Sequence, residues 1–308
     1  RLLVFYAALE GAIGLYALVF PRLFGGVQRL SLQLPEFGPA TDFLIDVLLA
    51  VVLIGPPSIL MGGTIPILTL VLSRSLATAT RVHAWVYGFN TIGAFAGALI
   101  GGFFLIPLMG LDRVSYTMGA INLLAAAIFL VLDRSGLRPP EDSPHVESAD
   151  SSSVVSGYSG LMLVAALSGF AMMTIQTILN RVGALAFGPS MFTFAMVVAV
   201  FVLSIAVGSL AVSFLKNIPS RMIVASQWAL VICLVLLYGL VENAPYYAHV
   251  IRSVFQPTPA AFYSFQFASL LWLLMVLLVP VGLSGALLPL LFHHLRQTVG
   301  ELGTTAGR

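Results

Sequence analysis

Apolar runs of about twenty residues, long enough for a helix to cross the hydrocarbon of a bilayer, recur along the whole of this chain. Such runs leave few folds open. In lipid no water is available to the peptide groups, so a crossing segment must satisfy its own backbone, and at this length the α-helix does so. Hydrophobic residues fill 59% of the 308 positions and charged residues 8%, against about 45–50% and about 25% in soluble domains. The expectation is an all-α, polytopic helical membrane protein in contact with the lipid bilayer.

The same composition excludes other classes. A formal charge of +2, with no cluster of Lys and Arg among aromatics, gives nucleic acid no footing. The single cysteine, Cys233, allows neither a disulfide framework nor a cysteine metal site, and is expected to fill core or face lipid. His293 and His294 are adjacent and so point to different faces of a helix, which makes a poor metal site. No nucleophile–base pair, P-loop, haem or zinc motif occurs. No catalytic residue, metal or cofactor is therefore assigned.

Eight crossings are expected, at 2–20, 43–72, 84–108, 114–132, 158–180, 191–215, 222–241 and 267–292. Residues 21–42 and 242–266 are long enough for interfacial pieces, whereas 109–113 and 216–221 read as tight turns. Residues 133–157, acidic and rich in Pro and Ser, read as a cytoplasmic linker between a first bundle (1–132) and a second (158–308). The ends and the loops after the second, fourth and sixth crossings hold nine Lys and Arg, the opposite loops five. The positive-inside rule then places both ends in the cytoplasm. Residue 1 is Arg, and no small-residue cleavage pattern follows it. The chain is therefore expected to begin inside a longer one rather than with a signal peptide.

Two proline-bearing segments repeat one another. "LIGPPSILMGGTIPIL" (53–68) and "LLVPVGLSGALLPLL" (277–291) align at a constant offset of 223, which matches Pro57 with Pro280, Gly62 with Gly285 and Pro66 with Pro289. Proline removes a backbone donor and crowds the preceding turn, so both segments should kink or break. Matched breakers suggest two related halves, as in transporter folds, where such breaks open backbone groups toward a cavity or are satisfied by neighbours as plain kinks.

The stretches "LEGAIGLYALVFP", "PPSILMGGTIPIL" and "YGFNTIGAFAGALIGGFFLIPLMGL" are similar to the membrane domain of bacterial spermidine-synthase-like proteins, described as fused major-facilitator-like/spermidine synthase proteins. "ILNRVGALAFGPSMFTFAMVVAVFVLSIAVGS", followed by "VGLSGALLPLL", resembles the start of that domain's second repeat. The resemblance implies major-facilitator-like repeats of about six helices each, both incomplete here. It also implies a bacterial inner membrane and a cytoplasmic synthase-like domain as partner. Any aminopropyltransferase-like activity would lie in that domain, for which this chain has no α/β stretch or Gly-rich loop.

Several residues are candidates for polar contacts. Glu10 sits within the first apolar run, where a carboxylate costs a few kcal/mol, so it should face the bundle interior, either paired structurally or on an ion, proton or substrate path. Asn90, His83 and Arg81 are its candidate partners. Gln176 and Asn180, four apart, share a helix face and could bond a neighbour or a ligand. Gly93, Gly97 and Gly101 line one face of the third segment and are expected to pack against another helix, with Asn90 one turn earlier. The leading expectation is a transporter-like domain that binds a small polar or cationic molecule through Glu10, Asn90, Gln176 and Asn180. The proline-bearing helices would be its moving parts. The alternative is a non-transporting anchor or accessory subunit that packs on other membrane subunits.

Overall fold

A computed structural model describes residues 2–35, 37–72, 76–135, 151–215, 218–219 and 221–305, with no strand among them. The helices are α1 (Leu2–Gln33), α2 (Pro39–Leu72), α3 (Leu76–Ile100), α4 (Ile106–Arg134), α5 (Ser151–Phe187), α6 (Met191–Ser213), α7 (Arg221–Glu242), α8 (Ala244–Val254) and α9 (Phe262–Thr305). A π-helical turn, Gly101–Leu105, joins α3 to α4. Among the described residues, seven stretches are long and apolar enough to cross a membrane. One of them, Trp85–Arg134, has 50 residues, about 75 Å of helix against about 30 Å of hydrocarbon. It is interrupted at Gly110, whose φ of 77° and ψ of 164° leave the helical region. The expected crossings 84–108 and 114–132 lie on either side of that break, so the stretch accommodates both. The chain is an all-helical integral membrane protein.

The chain divides into two compact units, 1–87 with 105–145, and 88–104 with 146–308. Residues 88–104, expected with the first bundle, group with the second unit. The local reason is Gly102, which lies against Ala195 of α6, and Phe103, whose ring is 5.1 Å from that of Phe192. Of the expected linker, 136–150 lie outside the described residues, while 151–157 already belong to α5.

In the first unit α1 packs on α4 and α2. The α1–α4 seam is made by small residues: a Cβ on Gly14 would stand 2.9 Å from the Gly119 carbonyl oxygen, and one on Gly119 would meet the Gly14 carbonyl in return. Backbones approach this closely only where side chains are absent, and in lipid the dispersion attraction between them replaces the hydrophobic drive. Tyr6 closes the seam edge-on to Phe129 at 4.6 Å.

In the second unit α6 is the central helix. It is apolar on every face, and Met196, Val197, Ala199, Val200 and Phe201 are at most 1% exposed, as befits a helix surrounded by others. It runs alongside α9, with Phe192 beside Phe262, and Gly208 against Gly282. By contrast α2 presents most of its apolar side chains outward, among them Ile59, Val52 and Leu48. For a chain in lipid that exposure carries no cost.

Candidate functional site

Glu10 lies on α1, half-buried, one turn after Tyr6. The Tyr6 hydroxyl faces the carboxylate, to which it can donate. Four residues of helix put the pair on one face. Around them the α1–α4 seam continues through Ala7, which is buried, and Gly11, whose Cβ position is 3.7 Å from Ala126. The acid is thus held against protein. Of the partners expected from sequence, the side chains of Arg81 and His83 lie outside the described residues, and Asn90 is exposed on α3 in the part that belongs to the second unit.

The proline-bearing helices show what becomes of the carbonyls that proline frees. A proline at position i has no N–H for the carbonyl at i−4. Pro57 thereby frees Leu53, and the Tyr16 hydroxyl of α1 donates to the Leu53 carbonyl at 2.6 Å. Pro289 frees Gly285, and the Ser209 hydroxyl of α6 donates to the Gly285 carbonyl at 2.8 Å. The same arrangement recurs within α1: Pro21 frees Ala17, and the Ser115 hydroxyl of α4 donates to the Ala17 carbonyl at 2.8 Å. Helices α2 and α9 remain helical through their prolines, and at Pro57 and Pro289 a neighbouring helix replaces the missing donor. Pro66 and Pro280 likewise remove the intrahelical donors of Gly62 and Val276.

Among the matched positions, Pro57 is half-buried while Gly62 and Pro66 are exposed; Pro280 and Gly285 are buried and Pro289 half-buried. Gly285 is constrained from two sides. Its carbonyl takes the Ser209 hydrogen bond, and a Cβ on it would stand 2.6 Å from the Ile205 backbone. The second break therefore sits in a helix crossing, the first on a more open helix.

Gln176 and Asn180 of α5 are both half-buried. The Asn180 Oδ1 is buried with no hydrogen-bond partner among the described residues, and a buried acceptor without one costs about 1–3 kcal/mol. Beside them, Gly183 admits Val197 and Thr193 of α6, at 3.2 and 3.3 Å from its Cβ position. A Cβ on Gly93, Gly97 or Gly101 meets nothing within 4 Å among the described residues. The close approach falls instead on Gly102, one residue past the row, and at Gly14–Gly119 and Gly208–Gly282.

The end of α5 is built with care. Gly188, at φ 100°, takes the left-handed position after the helix, and its N–H donates to the Ala184 carbonyl at 3.1 Å. Ser190 caps α6 by accepting from the Thr193 N–H at 3.2 Å. Arg252 of the amphipathic α8 reaches the Phe187 carbonyl at 3.5 Å and lies 5.5 Å from the centre of the Phe265 ring. Tyr6, Tyr16, Ser115, Ser209 and Arg252 were all missed in the sequence. Only Tyr6 carried a usable signal, its spacing of four from Glu10; the others depend on which helices are neighbours.

Comparison with known proteins adds one finding. No family model matches the chain, and no solved structure matches it. Over 108 residues, 34% of the chain, the sequence is 33% identical to a protein of Corynebacterium efficiens described as polyamine aminopropyltransferase, and it covers 20% of that protein. The chain thus spans about a fifth of the length of the curated relative it matches. Together with its apolar helices, this makes it an integral membrane chain with a partial similarity to a spermidine-synthase-like protein.

Proposed function

We propose that this chain is a transporter-like integral membrane domain of a spermidine-synthase-like protein, and that it binds a small polar or cationic molecule. Glu10 carries the reading. It is a carboxylate inside a membrane-spanning helix, held at a helix seam by Tyr6, and an acid is kept in such a place where it meets a cation, a proton or a substrate. The relative is named for polyamines, and a polyamine is a cation that a carboxylate complements. Within the second unit, Asn90, Gln176 and Asn180 are candidates for polar contacts of their own, and the Asn180 Oδ1 has no hydrogen-bond partner among the described residues. The matched breakers Pro57, Gly62 and Pro66 with Pro280, Gly285 and Pro289 are the moving parts.

The test is spermidine uptake by proteoliposomes holding the purified chain. Wild-type protein should exceed protein-free vesicles, and Glu10→Gln should lower the initial rate about ten-fold or more, the cost of losing a charge-assisted contact, while eluting and unfolding as wild type does. Equal rates for Glu10→Gln and wild type, or no uptake above empty vesicles, would sink the transport reading.

A second reading is an anchor or accessory subunit. The row Gly93, Gly97 and Gly101 favours it, being open among the described residues and suited to the close approach of a helix from another membrane subunit. Photo-crosslinkers placed at Ile92 and Ala96, beside the row, would capture a partner in native membranes on this reading and only lipid on the first.

A further inference from the structure

We propose that Tyr16, Ser115 and Ser209 are latches on proline hinges: each donates a hydroxyl to the backbone carbonyl that a proline has freed in a neighbouring helix, and each holds that helix at one bend. Three independent places carry the inference. Tyr16 of α1 holds Leu53 under Pro57, Ser115 of α4 holds Ala17 under Pro21, and Ser209 of α6 holds Gly285 under Pro289, at 2.6, 2.8 and 2.8 Å. Sequence separations of 37, 98 and 76 residues rule out local side-chain habit. An ordinary helical Ser or Thr bonds the carbonyl four residues back, as Thr69 does to Ile65 at 2.8 Å and Ser204 to Val200 at 2.7 Å. The three latches instead cross to another helix, and each lands on a carbonyl whose own donor is missing.

The physical case for a latch rests on alternatives. A carbonyl left bare in lipid is costly, so the bend that presents Leu53 to Tyr16 is favoured over others. A bend without its i−4 hydrogen bond is also the softest point of a helix. One hydroxyl then sets the population of bends, since releasing it costs a single net hydrogen bond, a few-fold in equilibrium constant. The latches chain α4 to α1 and α1 to α2 in the first unit, and join α6 to α9 in the second. The inference is independent of transport, because it is tested on protein without substrate.

The experiment uses the full chain in lipid nanodiscs with Cys233 replaced by Ser and spin labels at positions 48 and 70 of α2. Leu48 and Leu70 are 63% and 61% exposed, flank Pro57, and lie about 33 Å apart along a straight helix. Tyr16→Phe should broaden the distance distribution, and Pro57→Ala, which restores the missing N–H, should narrow it. In the Pro57→Ala background, Tyr16→Phe should have no further effect on the distribution. Amide exchange over residues 54–61 gives the second readout, with Tyr16→Phe expected to speed it roughly two- to twelve-fold only where Pro57 is present. Equal effects of Tyr16→Phe with and without Pro57 would show that the hydroxyl does not serve the freed carbonyl. Coupled exchange with an unchanged distance distribution would show a static cap instead of a latch. Either result overturns the proposal.

Discussion

Glu10 and the glycines show how far a single residue can be read. An acid in an apolar run had to face protein, and α1 does place it at a seam. The hydroxyl that faces it is that of Tyr6, one turn away, and not a group on another segment. The spacing of four was legible, but the weight given to distant partners hid it. The Tyr6 hydroxyl should matter only through the acid. Tyr6→Phe is expected to destabilise the chain by about 1.5–3 kcal/mol, and to add nothing in a Glu10→Gln background if the two act as a pair; additive losses in thermal unfolding would separate them. The glycines teach the opposite lesson. A spacing of four puts Gly93, Gly97 and Gly101 on one face, yet nothing in it says whether that face meets a helix. Gly14, Gly119, Gly208 and Gly282, unremarkable in sequence, make the close crossings. Gly208→Ala should therefore cost about 1–3 kcal/mol by forcing α6 off α9, whereas Gly97→Ala should be neutral or add about 0.5–1 kcal/mol of helix propensity. Comparing the two unfolding midpoints in one detergent checks both signs.

At the scale of the element, the helical type of the segments followed from the apolar runs, and most of their ends did not. The first crossing was expected at 2–20. In fact α1 continues to Gln33, and Ser115 donates to the carbonyl that Pro21 frees. A hydroxyl supplied by another helix cannot be found from the helix alone, and the same holds at Pro57 of α2 and Pro289 of α9. The short α8 illustrates a boundary made from outside. The stretch 242–266 read as interfacial, and its Tyr246, His249 and Arg252 are exposed while Ala244 and Ala248 are buried. From there Arg252 donates to the last carbonyl of α5 and covers Phe265, so one side chain ties three helices. A guanidinium near a helix C-terminus also complements its dipole. Arg252→Gln is expected to lower stability by about 1–2 kcal/mol and to quicken amide exchange at 184–188 more than elsewhere. Uniform quickening would mean that Arg252 supports the unit as a whole and not the end of α5.

For the whole molecule, the count of crossings hangs on Gly110. Read by length alone, Trp85–Arg134 is one apolar stretch of 50 residues; read with its break, it is two crossings. The sequence read 109–113 as a tight turn, and within it Gly110 takes the positive φ that a turn favours. The grouping of 88–104 with the second unit had no such signal, because it depends on Gly102 meeting Ala195 from a helix nearly a hundred positions later. The two counts predict opposite sides for everything that follows the break. With both ends in the cytoplasm and two crossings between 85 and 134, Ser135 faces the cytoplasm and Phe37 the outside; with one crossing, both face outward. Single cysteines at 37, 135 and 256 in a Cys233→Ser background, probed in intact cells with an impermeant maleimide, decide the matter. Labelling at 37 and 256 but not at 135 is the expected pattern. Labelling at 37 and 135 but not at 256 would reduce the 85–134 stretch to a single crossing and place the second unit upside down relative to the positive-inside count. Labelling at 135 alone would keep eight crossings and reverse the orientation of the chain.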